Sequence, residues 1–340
     1  MAARGRARRY DLVVIGGGPA GLAGAIAGGV LGKRVVLVER ARHLGGALVN
    51  TGTIPSKTLR ETALALSGLR SRELHGVDLS LRRGARVADF LHHERAVKRA
   101  ARADVAGRLA LLGIERLQGR ARFIGPHELE LAPARGAPRR LHARHVLIAT
   151  GSRPSWPAEF PRGHPRVWDS DRILELERLP RRLAVIGAGV IGSEYASTFR
   201  ALGARVFLVD GRAELFPFLD DELARRLEAA MRAQGVEFRW NERVRACKAP
   251  KRGPIRLTLS SGATLAVDAV LVAAGRRAEL AELGLDAAGL TPNERGLLDV
   301  DARFRTAVPH VLAAGDVVGF PSLASASAEQ ARVAVCAAFG

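Results

Sequence analysis

Residues 11–39 read DLVVIGGGPAGLAGAIAGGVLGKRVVLVE, and this stretch decides the fold. Asp11 to Ile15 is a short apolar run rich in β-branched residues, the composition of a buried strand. Gly16-Gly17-Gly18-Pro19-Ala20-Gly21 follows it. Leu22 to Leu31 is rich in Ala and Leu and reads as a helix. Arg34 to Val38 is a second apolar run, and Glu39 closes it. The order is strand, glycine-rich turn, helix, strand, acid.

The same order returns at residues 183–210, LAVIGAGVIGSEYASTFRALGARVFLVD. Leu183 to Ile186 leads into Gly187-Ala188-Gly189-Val190-Ile191-Gly192. A helical stretch runs to about Leu202, and the strand Arg205 to Val209 ends at Asp210. The acid stands 18 residues after the last glycine in both copies. One GxGxxG is a weak signal. Two copies in the same context, each with an acid at equal spacing, are a strong one. The first glycine permits a tight turn, the second lets backbone approach a pyrophosphate, and the third lets helix and strand pack closely. The helix N-terminus then offers free N–H groups and the positive end of its dipole to phosphates. Glu39 and Asp210 are placed to accept hydrogen bonds from an adenosine ribose. The fold class expected is α/β with two Rossmann-like dinucleotide-binding domains.

The 340 residues allow roughly two domains of about 150 residues. A chain 47% hydrophobic and 26% charged is an ordinary globular composition, which excludes disordered, collagen-like and coiled-coil classes. Two cysteines, Cys247 and Cys336, exclude a disulfide scaffold or a cysteine-rich zinc domain. No apolar run reaches the ~18 residues of a membrane span. Met1 to Arg9 is short and basic with no apolar core, unlike a secretory signal, so the expected compartment is the cytoplasm. The net charge is +19, from 53 Lys and Arg of which only five are lysines. Such a charge raises the case for nucleic acid or other anionic partners. Against that, the arginines are spread along the whole chain, aromatics are 5%, and no zinc-finger or RNP-like motif accompanies them. A drift toward arginine on solvated faces is the favoured account.

Two more strand-like runs end in small residues, Val146 to Gly151 (VLIATG) and Val270 to Gly275 (VLVAAG). Small residues there allow close passage of a ligand or another segment. A last run, Val311 to Asp316 (VLAAGD), ends in an acid, with Thr306 placed to cap or brace it. Ile114 to Ile124, Glu128 to Ala132 and Leu141 to Ile148 read as short strands. Ser152 to Pro165, which holds Pro154, Pro157, Pro161 and Pro165, reads as a linker into a second domain. Val87 to Leu112 reads as a long surface helix. Its His92 and His93 point in different directions and do not suggest a shared metal. There is no HExxH, GxSxG or P-loop, so metalloprotease, serine hydrolase and NTPase readings have no support.

The order GGGPAG, GAGVIG, AAGD resembles the two-dinucleotide flavoprotein reductases, the pyridine nucleotide-disulfide oxidoreductase family. The resemblance implies a glutathione-reductase-like fold with an FAD domain over residues 1–155 and 280–340. An NAD(P) domain over 156–279 is inserted in it. For FAD it implies contacts from Gly16, Gly18, Pro19, Ala20, Gly21, Glu39, Arg40, Gly46, Leu48, Ala121, Thr150 and Gly151, with Asp316 on the ribityl chain. For NAD(P) it implies Gly187, Gly189, Gly192, Asp210, Arg212 and Gly275.

Residues 45–59, GGALVNTGTIPSKTL, stand in the register of the family's redox-loop helix, which normally carries two cysteines five positions apart. Those positions are Leu48 and Thr53 here. Neither can form a thiolate or a disulfide. Cys247 and Cys336 are remote in sequence and outside any CxxxxC, so dithiol and disulfide substrates are disfavoured. VNTGTIPSKTLRETAL (49–64), VIGSEYAS (190–197), FLDDE (218–222) and PSLASA (321–326) resemble the soluble pyridine nucleotide transhydrogenase branch.

That resemblance implies ping-pong hydride transfer from NADPH to NAD⁺ through a flavin, the protein supplying position and electrostatics. It places Lys57 beside the flavin's reactive edge, with Glu194 pairing to Lys57 and facing the nicotinamide. Val190 is small, which leaves the flavin face reachable. Pro321 at a helix start would aim a helix dipole at the flavin's pyrimidine end. Asp210 favours a 2′-hydroxyl and Arg212 a 2′-phosphate, a combination suited to an enzyme that uses both nucleotides. The family is homodimeric through a further domain beyond PSLASA, which the 340 residues do not include. Weak FAD retention or aggregation is therefore expected of this chain alone. Three other readings stay open: a diaphorase-like NAD(P)H oxidoreductase with another acceptor, a flavin- or nucleotide-binding protein without turnover, and a basic nucleic-acid partner.

Overall fold

The computed structural model describes residues 8–71 and 91–340. They form two compact units. One takes residues 8–50, 98–153 and 277–340, and the other takes 51–71, 91–97 and 154–276.

The first unit is built on one sheet. Its strand order is Glu115–Gln118, Val35–Glu39, Arg8–Ile15, Arg139–Ile148, Glu128–Ala132, Arg120–Gly125. The first four strands run parallel, and the last two join as an antiparallel meander. Strand Arg139–Ile148 divides one of its edges. Its first half pairs with Glu128–Ala132, and its second half pairs in parallel with Val311–Ala313, Val311 opposite Val146. That shared edge brings the VLAAGD segment beside VLIATG. Along Arg8–Ile15 the side chains alternate between two cores: Val13 and Ile15 enter one, Leu12 and Val14 the other. A parallel strand buried on both faces needs such an unbroken apolar run. Helices Pro19–Val30 and Ala324–Phe339 cover the second face with small residues, Ala20, Ala25, Ala331 and Ala334 among them.

The second unit has a five-stranded parallel sheet in the order Val236–Arg239, Arg205–Val209, Arg182–Ile186, Ala269–Val272, Val167–Asp169. Leu183 and Val185 face a core that contains Leu59 of helix Thr53–Ser71 and Tyr195, Ala196 and Phe199 of helix Val190–Ala201. Ala184 faces the other core, under an antiparallel sheet of Val244–Lys248, Ile255–Leu259 and Thr264–Val267. The FLDDE segment caps a helix. Asp220 accepts hydrogen bonds from the amides of Glu222 and Leu223 at the start of Asp221–Ala233.

The first helix starts at Pro19 rather than Leu22, because proline has no N–H to lose at a first helical position. The long helix runs His92–Leu111, and Val87 to Phe90 lie outside the described residues. Pro321 does not start a helix. Ser322 takes a left-handed φ of 50° and the helix begins at Ala324. Ser152 to Pro165 is largely irregular, yet Phe160 within it is buried and its carbonyl accepts the Trp156 indole N–H at 2.9 Å. Thr306 does brace the last run: its hydroxyl donates to Val311 O at 2.8 Å.

Candidate functional site: two glycine cradles and a lysine–glutamate pair

Both units hold the same turn. Gly16 and Gly187 have φ of 108° and 103°. A Cβ on Gly16 would stand 2.2 Å from Ala149 O, and one on Gly187 would stand 2.4 Å from Ala273 O. On Gly21 or Gly192 it would stand 1.8 Å from Gly16 O or Gly187 O. The protein's own packing therefore requires these four glycines. The middle glycines differ. A Cβ on Gly189 would meet nothing within 4 Å, and one on Gly18 only Gly46 Cα at 3.8 Å. Each middle glycine is also the N-cap of its helix and offers no side chain to the first-turn N–H groups. Those donors stay available to an anion.

The acids close the turns in matching ways. Glu39 accepts from the Gly17 amide at 2.6 Å and the Ala41 amide at 2.7 Å. Asp210 accepts from the Ala188 amide at 2.6 Å and the Arg212 amide at 2.8 Å. Each carboxylate is thus fixed at the carboxyl end of the strand that follows its glycine turn and helix.

In the first unit a cavity of about 320 Å³ opens beside Gly16, lined by Glu39, Arg40, Ala121, Thr150, Arg153 and Glu279 among others. Arg40 and Arg153 both pair with Glu279, at 2.6 and 2.8 Å. The Thr150 hydroxyl is buried without a hydrogen-bond partner among the described residues. A bare glycine turn, a fixed acid and an unpartnered hydroxyl in one cavity fit the adenosine diphosphate part of FAD. Gly46 packs on this turn. The Gly45 amide donates to Gly17 O at 2.7 Å, and a Cβ on Gly46 would stand 2.7 Å from Gly18 Cα. Leu48 is half-buried on the short helix Gly46–Asn50. Asp316 follows Gly315 (φ 83°) and accepts the Ser152 hydroxyl, next to Thr150 and Gly151.

In the second unit Arg212 grips Asp210 through two bonds, Nε to Oδ1 at 3.0 Å and Nη2 to Oδ2 at 2.8 Å. Burial acts to raise Asp210. The Arg212 side chain and the two amides outweigh it and hold the carboxyl below the usual aspartate range. Gly275 follows strand Ala269–Val272 and its carbonyl accepts the Ser155 amide at 2.9 Å. The same bare middle glycine and fixed acid fit a second dinucleotide.

Helices Thr53–Ser71 and Val190–Ala201 bring Lys57 and Glu194 into an ion pair. Both side chains keep solvent access, Lys57 more than Glu194. Val190, at the first position of its helix, is 52% exposed. Ser193 Oγ and Tyr195 Oη, on either side of Glu194 in sequence, are buried and without partners among the described residues. Burial raises the Tyr195 phenol above its ordinary range. Burial also pushes the Cys247 thiol up to about 11, the opposite of an activated cysteine. Cys336 is exposed. Among the described residues no cluster of His, Cys, Asp and Glu suits a metal ion, and no helix is long and apolar enough to cross a membrane.

Residues 10–335 match the model of the pyridine nucleotide-disulphide oxidoreductase family. The chain belongs to that family. It is accordingly a flavoprotein oxidoreductase that binds FAD and NAD(P). The soluble pyridine nucleotide transhydrogenase of Mycobacterium bovis is 43% identical over 334 residues, covering 98% of this chain and 71% of the relative. That of Chromohalobacter salexigens is 42% identical over 328 residues, covering 96% and 70%. Among solved structures, LpdA from Mycobacterium tuberculosis superposes with a TM-score of 0.89 at 27% identity, over 98% of this chain and 72% of that one. The HOCl-induced flavoprotein disulfide reductase RclA from Escherichia coli gives 0.85 at 30% identity, over 96% and 70%. These likenesses agree with the glutathione-reductase-like fold expected from the motif order.

The sequence reading missed Arg153 and Glu279 in the first cavity. They have no motif, and nothing in the sequence ties position 279 to position 40. The four amide–carboxylate bonds at Glu39 and Asp210 have only the equal spacing of glycine and acid as their trace in the sequence.

Proposed function

We propose that this family member transfers hydride between NADPH and NAD⁺ without a redox-active cysteine pair. The observation that carries the reading is the replacement of both redox-loop cysteines, by Leu48 and Thr53, in a chain that keeps two complete glycine–acid cradles. The soluble transhydrogenase relatives support the same direction. Bound FAD supplies the hydride-accepting and hydride-donating chemistry.

The protein's residues have these parts in the proposal. The first cradle, Gly16, Gly18, Pro19, Ala20 and Gly21, binds the FAD pyrophosphate, and Glu39 its ribose. Arg40, Gly46, Leu48, Ala121, Thr150 and Gly151 complete the walls, and Asp316 orients the ribityl chain. Gly187, Gly189, Gly192 and Gly275 seat the nicotinamide dinucleotide. Asp210 takes a ribose 2′-hydroxyl. Lys57 contributes positive charge to a reduced, anionic ring, and Glu194 holds the Lys57 ammonium in place. Leu48 and Thr53 add no thiol to intercept the electrons.

The test is reduction of a thio-NAD⁺ analogue by NADPH, with FAD added and thiols blocked. Steady transfer is expected. Failure of transfer while NADPH still reduces a quinone or dye would reassign the chain to a diaphorase-like activity.

A further inference from the structure

The Asp210–Arg212 pair raises a problem for reading a 2′-phosphate. Arg212 already spends two hydrogen bonds on Asp210, so the pair presents little free positive charge. A phosphate dianion is held best by a cation whose charge no carboxylate already neutralises.

A second turn supplies one. The Glu242 amide donates to Asp210 O at 3.0 Å and the Asn241 amide to Arg212 O at 2.9 Å, which locks residues 241–243 against residues 210–212. Arg243 then lies across Gly211. A Cβ on Gly211 would meet Arg243 Nε at 2.8 Å and its Cζ at 3.1 Å. The neighbouring acid is turned away: Glu242 accepts from Ser260 Oγ at 2.6 Å and from the Ser261 amide at 3.1 Å. Arg243 is exposed, and no carboxylate pairs with it among the described residues.

We propose that Arg243 is the residue that reads the 2′-phosphate of NADP(H). Arg212 plays the supporting part: it neutralises Asp210, which would otherwise repel that phosphate. NAD(H) uses Asp210 and does without Arg243. One site thereby accepts both nucleotides, with the Arg243 side chain lying over Gly211 beside the Asp210–Arg212 pair. This rests on the reading that the second unit binds NAD(P).

The test is fluorescence titration of the full chain with NADPH and, separately, with NADH. Arg243→Ala is expected to weaken NADPH binding about tenfold or more, the loss typical of one charge-assisted hydrogen-bonding side chain. NADH affinity should stay within about twofold. Arg243→Lys should recover part of the NADPH loss, and wild-type NADPH binding should weaken more with salt than that of Arg243→Ala. Arg243→Gln serves if the alanine variant folds poorly. An unchanged NADPH-to-NADH affinity ratio in the variants overturns this inference and leaves the proposed function standing. A wild-type chain that binds neither nucleotide overturns both.

Discussion

The middle glycine of the second cradle gives the sharpest separation of fold from function. Gly189→Ala and Gly192→Ala both add one methyl group, three residues apart. At Gly189 that methyl meets nothing within 4 Å, and the backbone, at φ −76° and ψ −178°, already lies in a region alanine adopts. The folding cost is that of alanine for glycine at an N-cap, about 0.5–1 kcal/mol. For a domain of this size that lowers Tm by roughly 1–4 °C. At Gly192 the methyl would stand 1.8 Å from Gly187 O, more than 1 Å inside the closest separation real Cβ atoms show. The atom struck is backbone, so helix and strand must part, at about 3 kcal/mol or more. Thermal unfolding measured beside NADH titration reads both effects. Gly189→Ala should keep its fold and lose nucleotide affinity by about tenfold or more, as the methyl enters the space of the pyrophosphate. Gly192→Ala should lower Tm by roughly 6–12 °C or more. A Gly189→Ala protein that binds NADH like wild type would refute the cradle.

Three further outcomes follow from the same geometry. Lys57→Met should slow hydride transfer about tenfold or more while lowering Tm by no more than about 4 °C, since a half-exposed ion pair contributes at most about 1 kcal/mol; a loss of rate that merely follows a loss of fold would make the pair structural. Asp210 is held below its ordinary 3.8, so the stability it adds is complete above that value and is lost as pH falls through the folded one. Urea midpoints at pH 6 and pH 3 should therefore differ more in wild type than in Asp210→Asn, and parallel shifts would contradict the bonding described. Replacing Cys247 and Cys336 together by serine should leave transfer intact, and a lost activity with retained fold would restore a thiol mechanism.

Sequence showed some parts of the molecule and hid others, for physical reasons. The two strand–turn–helix–strand–acid units were legible because each is local and periodic. Gly16 to Glu39 and Gly187 to Asp210 carry their geometry in residue type and spacing alone. The helix ends were less so: Pro19 starts its helix because it has no N–H to lose, while Pro321 sits outside one because Ser322 turns left-handed. Long-range pairings were invisible. Glu279 bridges Arg40 and Arg153, and Arg243 lies on Gly211, through folds of the backbone that leave no pattern in sequence. The Lys57–Glu194 pair was expected only from the words around those residues, since a lysine and a glutamate on two helices carry no signal of their own. The +19 charge carried no pattern of its own in the sequence, because the arginines are spread along the whole chain; some of them form surface ion pairs, such as Arg8–Glu115 and Arg205–Glu237.

In the proposed reaction two nucleotides exchange a hydride on this chain with no thiol between them. The most direct measurement is the anaerobic visible spectrum of the FAD-loaded protein, with thiols alkylated, after NADPH and then after NAD⁺. NADPH should bleach the flavin band and NAD⁺ should restore it. A band that NADPH leaves unchanged, or that NAD⁺ does not bring back, would contradict the proposed reaction.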